Sequence, residues 1–352
     1  MKLVSSLTVI VLTTLLLAEA GARVLHYFRP LSIFYDESYN RWRLPAGQIL
    51  YTEDDIAINS HGFNDEEFVD KRSGEFRIVA LGDSFAGGAV PYRHNYLTLL
   101  EKQLQAYGPY KVLNMGIPAI GPKDYLNLFV REGLALKPDM VLLSFFVGND
   151  IYNTRIKPKD QAWWEHSYVL SIFYYVFGVL PHLEEQGTSK KRMKNKVYCD
   201  ECPTFTEQKF LEIETRRSKI FLTNNELTKH KIDKAIDYLA EIKNICDRND
   251  IMLLVILIPD EVQINKDLAQ LVVQRNYQGQ QEYWDLGHPN KLIASKLLHA
   301  KIQFLDLYQP FLRYSETNSE ALYKPRNTHW NMLGNRLASD TVAEYLIQIH
   351  DL

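Results

Sequence analysis

Ile78-Val79-Ala80-Leu81 is an unbroken apolar run that stops abruptly at Gly82-Asp83-Ser84, and the same pattern returns along the chain. Lys111-Val112-Leu113-Asn114-Met115 breaks at Gly116, residues 140–146 break at Gly148-Asn149-Asp150, and residues 251–258 end at Pro259. A shorter run, Phe304-Leu305-Asp306-Leu307, completes the series. Apolar runs without polar alternation are strands buried on both faces, which is the habit of a parallel sheet.

Between these runs the period changes to that of a helix. Tyr96, Leu97, Leu99, Leu100 and Leu104 share a helical stripe, and helices are expected over about 123–135, about 225–248 and, last, 332–349. Strands alternating with helices predict an α/β fold: a three-layer α/β/α sandwich around a five-stranded parallel sheet, flavodoxin-like in strand order. In such a sheet every strand break falls on one edge, where ligands bind. Ser84 then stands at a strand's C-terminal edge, either as a nucleophile or as a plain cap for the next helix.

The chain's 352 residues, 46% hydrophobic and 24% charged, suffice for a full core, and one large domain with embellishments is expected. A net charge of -3, with no helix-turn-helix or zinc spacing, sets nucleic acid aside as a partner. Cys199 and Cys202 form a single C-x-x-C, too few cysteines for a four-ligand zinc site. A local disulfide in an oxidising compartment and a reduced pair in a loop are the two readings. Cys246 falls in a helical stretch as a small core residue. No metal or cofactor is expected, and no dinucleotide or phosphate-loop fingerprint occurs.

At the N-terminus Lys2 precedes a mostly apolar run, 3–18, followed by Ala18-Glu19-Ala20-Gly21, which has the small-x-small look of a signal cleavage site. Residues 1–25 are therefore read as a signal peptide or membrane anchor, with membrane association through residues 3–25 and an exported, periplasmic or extracellular product. Arg23 and Arg29 follow the run while only Lys2 and the amino terminus precede it, so charge placement does not support that orientation. Residues 26–75 read as a lead-in, with a strand and turn at Ile58-Asn59-Ser60-His61-Gly62-Phe63, and 76–352 as the main domain. An insertion is expected over about 155–225. It holds an apolar run at 168–180, read as a capping helix, and the basic cluster 190–196, read as a solvated loop or as a site for an anionic headgroup or acidic glycan.

Acyl transfer through serine needs a nucleophile, a base and donors aimed at the oxyanion. Ser84 supplies the first. Its own N–H, that of Gly116 and the side-chain amide of Asn149 are donors the topology puts on the same edge, and a glycine at 116 lets backbone approach a ligand closely.

These blocks resemble those of the SGNH hydrolases, also called the GDSL esterase/lipase family. The likeness covers roughly 58–350: the Gly-Asp-Ser block ending at Ser84, Asn114-Met115-Gly116, and Gly148-Asn149-Asp150 stand in the family's order. It is nearest to exported bacterial members, in which an N-terminal hydrophobic segment and an Asn-x-x-Gly-Phe lead-in, here Asn59 to Phe63, recur. The resemblance implies a base: a His in a loop after the last strand, with an Asp two or three residues earlier. His288, in Asp285-Leu286-Gly287-His288-Pro289-Asn290, has the textual form but precedes the fifth strand. His329, in His329-Trp330-Asn331 with Gly334 beyond, follows that strand and is the favoured base.

Asn327 stands where many relatives have Asp, and Arg326 fills the alternative position. Asn can accept an imidazole N–H but supplies no charge to stabilise imidazolium. Asp306 is a substitute acid or, more simply, a structural strand-end residue. A Ser-His dyad or reduced activity follows. By resemblance the chain is a serine esterase hydrolysing acyl esters, O-acetyl esters of cell-surface glycans among them. Its alternatives are a polysaccharide O-acyltransferase and a non-catalytic glycan-binding module.

Overall fold

The computed structural model describes residues 2–35, 38–151, 167–177, 196–277, 279 and 281–349. Helix α1 (Lys2–Phe28) leads, and strand β1 (Phe76–Leu81) opens the sheet. Then come α2 (Tyr96–Leu104), β2 (Tyr110–Asn114), α3 (Pro122–Arg131), β3 (Met140–Phe146) and α4 (Tyr168–Val176). Next are α5 (Glu207–Arg217), α6 (Glu226–Arg248), β4 (Met252–Ile258), α7 (Glu261–Ile264) and α8 (Lys266–Asn276). The chain closes with α9 (His288–His299), β5 (Gln303–Asp306), α10 (Tyr308–Thr317) and α11 (Met332–Ile349).

The five strands pair in the order β2-β1-β3-β4-β5, all parallel. This is the flavodoxin-like order expected from the sequence. Successive residues of one strand face opposite layers. Val79, Leu81, Val141, Leu143, Val255 and Leu257 pack toward α3, α6 and α9, whereas Ile78, Ala80, Leu142, Leu254 and Ile256 pack toward α2, α10 and α11. Both faces are therefore dry, which is why the strands show no polar alternation. Parallel register brings the ends of β1, β2 and β3 to one edge: Ala80 lies beside Asn114, and Leu81 beside Leu143.

Several local expectations change. The strand expected in the lead-in, ahead of Phe63, is absent: Asn59 Oδ1 accepts from the N–H groups of His61 and Phe63, closing a turn with Gly62 at φ 82°. A side chain that satisfies local backbone donors removes the need for a strand partner. The helix expected to reach residue 135 ends at Arg131 and tightens into a 3₁₀ turn over Gly133–Leu136. Ser84 caps no helix: α2 is capped by Asn95, whose side chain accepts from Leu97 N–H.

The 168–180 run forms α4 as far as described, while 152–166 and 178–195, with most of the basic cluster, lie outside the described residues. Cys199 and Cys202 are disulfide-bonded, and Cys246 is buried and free. Helix α1 presents a 23-residue stretch, Ser6–Phe28, long and apolar enough to cross a membrane.

Candidate active site

Ser84 lies in the turn that leaves β1, two residues past Gly82. Asp83 beside it is fully buried and shapes the turn: Oδ1 accepts from Phe85 N–H at 3.0 Å, and Oδ2 accepts from the Asn149 amide at 3.1 Å. Burial pushes the Asp83 carboxyl above its usual range. Asp150, from the same block as Asn149, accepts from the Tyr125 hydroxyl and Phe146 N–H, and burial raises its pKa strongly. Asp83 thus ties the end of β1 to the turn after β3, and Asp150 ties the end of β3 to α3.

His329 arrives from the loop before α11. Its Nε2 is 2.7 Å from Ser84 Oγ, and its Nδ1 is 2.7 Å from Asn327 Oδ1. The competing partner of the serine hydroxyl, Asp83 Oδ2, is farther at 3.4 Å. The backbone resolves both the amide and the tautomer. His329 N–H donates to the same Asn327 atom at 3.1 Å, so that atom is the carbonyl oxygen, and only an Nδ1–H can face it across 2.7 Å. Nε2 is then the bare nitrogen, turned to Ser84. The Phe85 ring completes the seat, 5.0 Å from the His329 ring and 4.8 Å from that of Trp330.

The imidazole has cations for neighbours. Burial first, then Arg217 and Lys324, hold its pKa down at about 3. Burial and the two cations thus favour the neutral ring, and Asn327 in place of a carboxylate adds no charge to favour the charged form.

The donors named from sequence converge on this edge, each already engaged. Gly116 N–H donates to Asn114 Oδ1 at 2.9 Å, and Asn149 gives one of its amide hydrogens to Asp83. An amide carries two such hydrogens, and this bond uses one. The reason for glycine at 116 differs from the one expected. A Cβ there would come within 2.4 Å of Ala86 Cβ and 2.7 Å of Gly87 N, so the serine turn itself demands the missing side chain. Asn114 is a functional neighbour that sequence reasoning left without a role: its Nδ2 also donates to Ala86 O, pinning that turn from β2.

The other candidates separate. Asp306 accepts from Tyr308 N–H and the Asn290 amide, the work of a strand-end residue. His288 opens α9 and hydrogen-bonds through its backbone to Asp285. Arg217, Lys324 and Thr204 come to the site only through tertiary packing, and no sequence signal marked them.

Residues 217–351 match the family described as "SGNH hydrolase-like domain, acetyltransferase AlgX". No curated protein matches the chain. Among solved structures it is similar to the acetyl xylan esterase AlAXEase, with 17% identity over 77% of this chain and 100% of that one, at a TM-score of 0.44. The lipase/acylhydrolase from Enterococcus faecalis gives 13% identity over 77% and 95%, at 0.42. A two-domain esterase active on acetylated mannans gives 11% identity over 79% of this chain and 51% of that one, at 0.42. In its ordered blocks, in its parallel sheet and, over residues 217–351, in its family match, the chain resembles the SGNH hydrolases.

Proposed function

We propose that the protein transfers a short acyl group from an ester to Ser84 and on to water, as an esterase of acylated glycans. The observation that supports this most is the 2.7 Å contact between Ser84 Oγ and a His329 Nε2 whose tautomer is set by Asn327. In the first step Oγ attacks the ester carbonyl as its proton passes to Nε2. The carbonyl electrons move onto the oxyanion, then return as the alcohol leaves with that proton. Water repeats the sequence in reverse and frees the acid. Transfer to a glycan hydroxyl in place of water is the second reading, favoured by the family match over residues 217–351.

The test is turnover of a chromogenic acetyl ester by the full chain, with and without an oligosaccharide acceptor. Release of acetate independent of acceptor supports the esterase, and acetylated oligosaccharide supports the transferase. The absence of either product sinks the serine chemistry.

Asn327→Asp places a carboxylate where Asn327 Oδ1 now meets Nδ1. Charge-assisted bonds are about twice as strong as neutral ones, so kcat is expected to rise on the order of tenfold. The pH profile must move with it. With His329 held at about 3, the wild type keeps its base neutral and its rate flat as pH falls from 8 to 5. The new carboxylate raises that pKa, and an acid limb enters the profile from below. Profiles of kcat/KM for the two proteins check both signs.

For location, we infer that α1 is retained as an anchor. Glu19 accepts from Ser167 Oγ and from the N–H groups of Tyr168 and Val169, capping α4 at its first turn, and Arg23 lies over the Tyr168 ring. A cleaved leader would take that carboxylate from the Tyr168 and Val169 N–H groups, leaving Ser167 Oγ to accept from Leu170 N–H alone. Phe173 and Val176 on α4, with Phe177 just beyond it, are 51%, 65% and 65% exposed, so apolar surface lies open on the helix that Glu19 of α1 caps. The protein is expected in the membrane pellet after alkaline carbonate extraction with residue 2 still attached. A soluble product beginning near Gly21 would refute retention.

A further inference from the structure

We propose that the segment closed by the Cys199–Cys202 disulfide is a clamp that sets the base, and that Thr204 is the positioning residue through which it holds Asn327. The idea rests on the serine chemistry above for its kinetic consequence, though not for its geometry.

The segment runs beside the loop that carries His329 and grips it on both sides. Upstream, Lys324 Nζ donates to Cys199 O at 3.2 Å, Thr204 N–H to Pro325 O at 3.2 Å and Phe205 N–H to Arg326 O at 3.2 Å. Downstream, Met332 N–H, the first of α11, donates to the Asp200 carboxylate at 3.2 Å, and the Tyr198 hydroxyl steadies that carboxylate at 2.5 Å. His329 is therefore suspended between two anchored points. The upstream grip falls on Arg326, which adopts a left-handed φ of 48°. A residue other than glycine keeps such a conformation only where its surroundings over-determine it. The Phe205 bond to its carbonyl does so.

Thr204 then reaches the side chain that matters. Asn327 Nδ2 donates to Thr204 Oγ1 at 2.7 Å, the same separation as at the other end of the amide, between Oδ1 and His329 Nδ1. Because Oδ1 also accepts from His329 N–H at 3.1 Å, turning the amide about its own bond would break three interactions. A carboxylate would keep an oxygen toward the histidine after such a turn; an amide would offer its NH₂ instead, against an Nδ1–H. An Asn in this position is thus sensitive to rotation where an Asp is not, and Thr204 holds its NH₂ end while the His329 N–H holds its oxygen. The disulfide sits within the segment, between the Cys199 carbonyl that receives Lys324 and the Thr204 hydroxyl.

The experiment uses the full chain in detergent, labelled with ¹⁵N-histidine, in wild-type, Thr204→Val, Thr204→Ser and Cys199→Ser/Cys202→Ser forms. The His329 ring shifts report the tautomer without reference to any substrate, and circular dichroism confirms each fold. Wild type and Thr204→Ser are expected to show Nδ1–H alone, with Thr204→Val and the double serine variant showing a mixture. On an acetyl ester, kcat should fall on the order of tenfold in Thr204→Val, the worth of one hydrogen bond, with KM unchanged and Thr204→Ser near wild type. Reducing the wild-type disulfide with a thiol should lower kcat in the same sense, and reoxidation should restore it. A pure Nδ1–H tautomer in Thr204→Val, or equal damage in Thr204→Ser, overturns the clamp. If no form turns over ester, the serine chemistry fails and the ring shifts still decide the clamp.

Discussion

Ser84→Ala is expected to lower kcat for ester turnover on the order of a millionfold, the loss that follows removal of the serine from a subtilisin triad on an unrelated fold. The fold should survive. Ser84 lies in a turn, and its hydroxyl meets only His329 at 2.7 Å and Asp83 at 3.4 Å, so the alanine removes one oxygen and leaves Cβ in place. Asp83, Asn149 and Asn114 continue to hold the turn through Phe85, Asp83 and Ala86. Thermal unfolding within a few degrees of wild type, beside lost activity, would locate the loss in chemistry. Retained turnover would remove Ser84 from the mechanism.

His329→Ala should be as severe, and the pair Ser84→Ala/His329→Ala no worse than either alone, because nucleophile and base act as one unit. His288→Ala is the control. It opens α9 with its backbone N–H on Asp285 O, while Ser84 Oγ meets His329, so the activity of this variant should stay within about twofold of wild type on the usual scale of surface changes. A single assay with all four proteins separates the two histidines. The reverse ranking would mean that the loop before α11 is not the base loop.

How far the sequence could be read depended on the range of the interactions involved. The sheet was legible because burial on both faces writes itself as continuous apolar residues, as in Met140–Phe146. Ser84 and Asn149 followed, since parallel strands must end together. His329 was preferred to His288 by its place after β5, and the structure brings it to the serine. Asn327 is marked by its place two residues before the histidine, but the partner at its other end, Thr204, lies 123 residues away and carries no local mark.

Gly116 was legible as a required glycine and misread in its cause, since crowding by Ala86 and Gly87 exists only once two strand ends are packed. The lead-in misread as a strand failed for the opposite reason. There a short-range interaction, Asn59 with His61 and Phe63, overrode the pattern of apolar residues.

Ser84 and His329 stand 245 residues apart in the chain and meet only through the tertiary fold. During synthesis, which proceeds from the N-terminus, the hydroxyl emerges 245 residues ahead of the imidazole it meets. A partly made chain therefore owns a nucleophile without the means to activate it. On the proposed chemistry, any premature stop before residue 329 is expected to yield a product inactive toward esters.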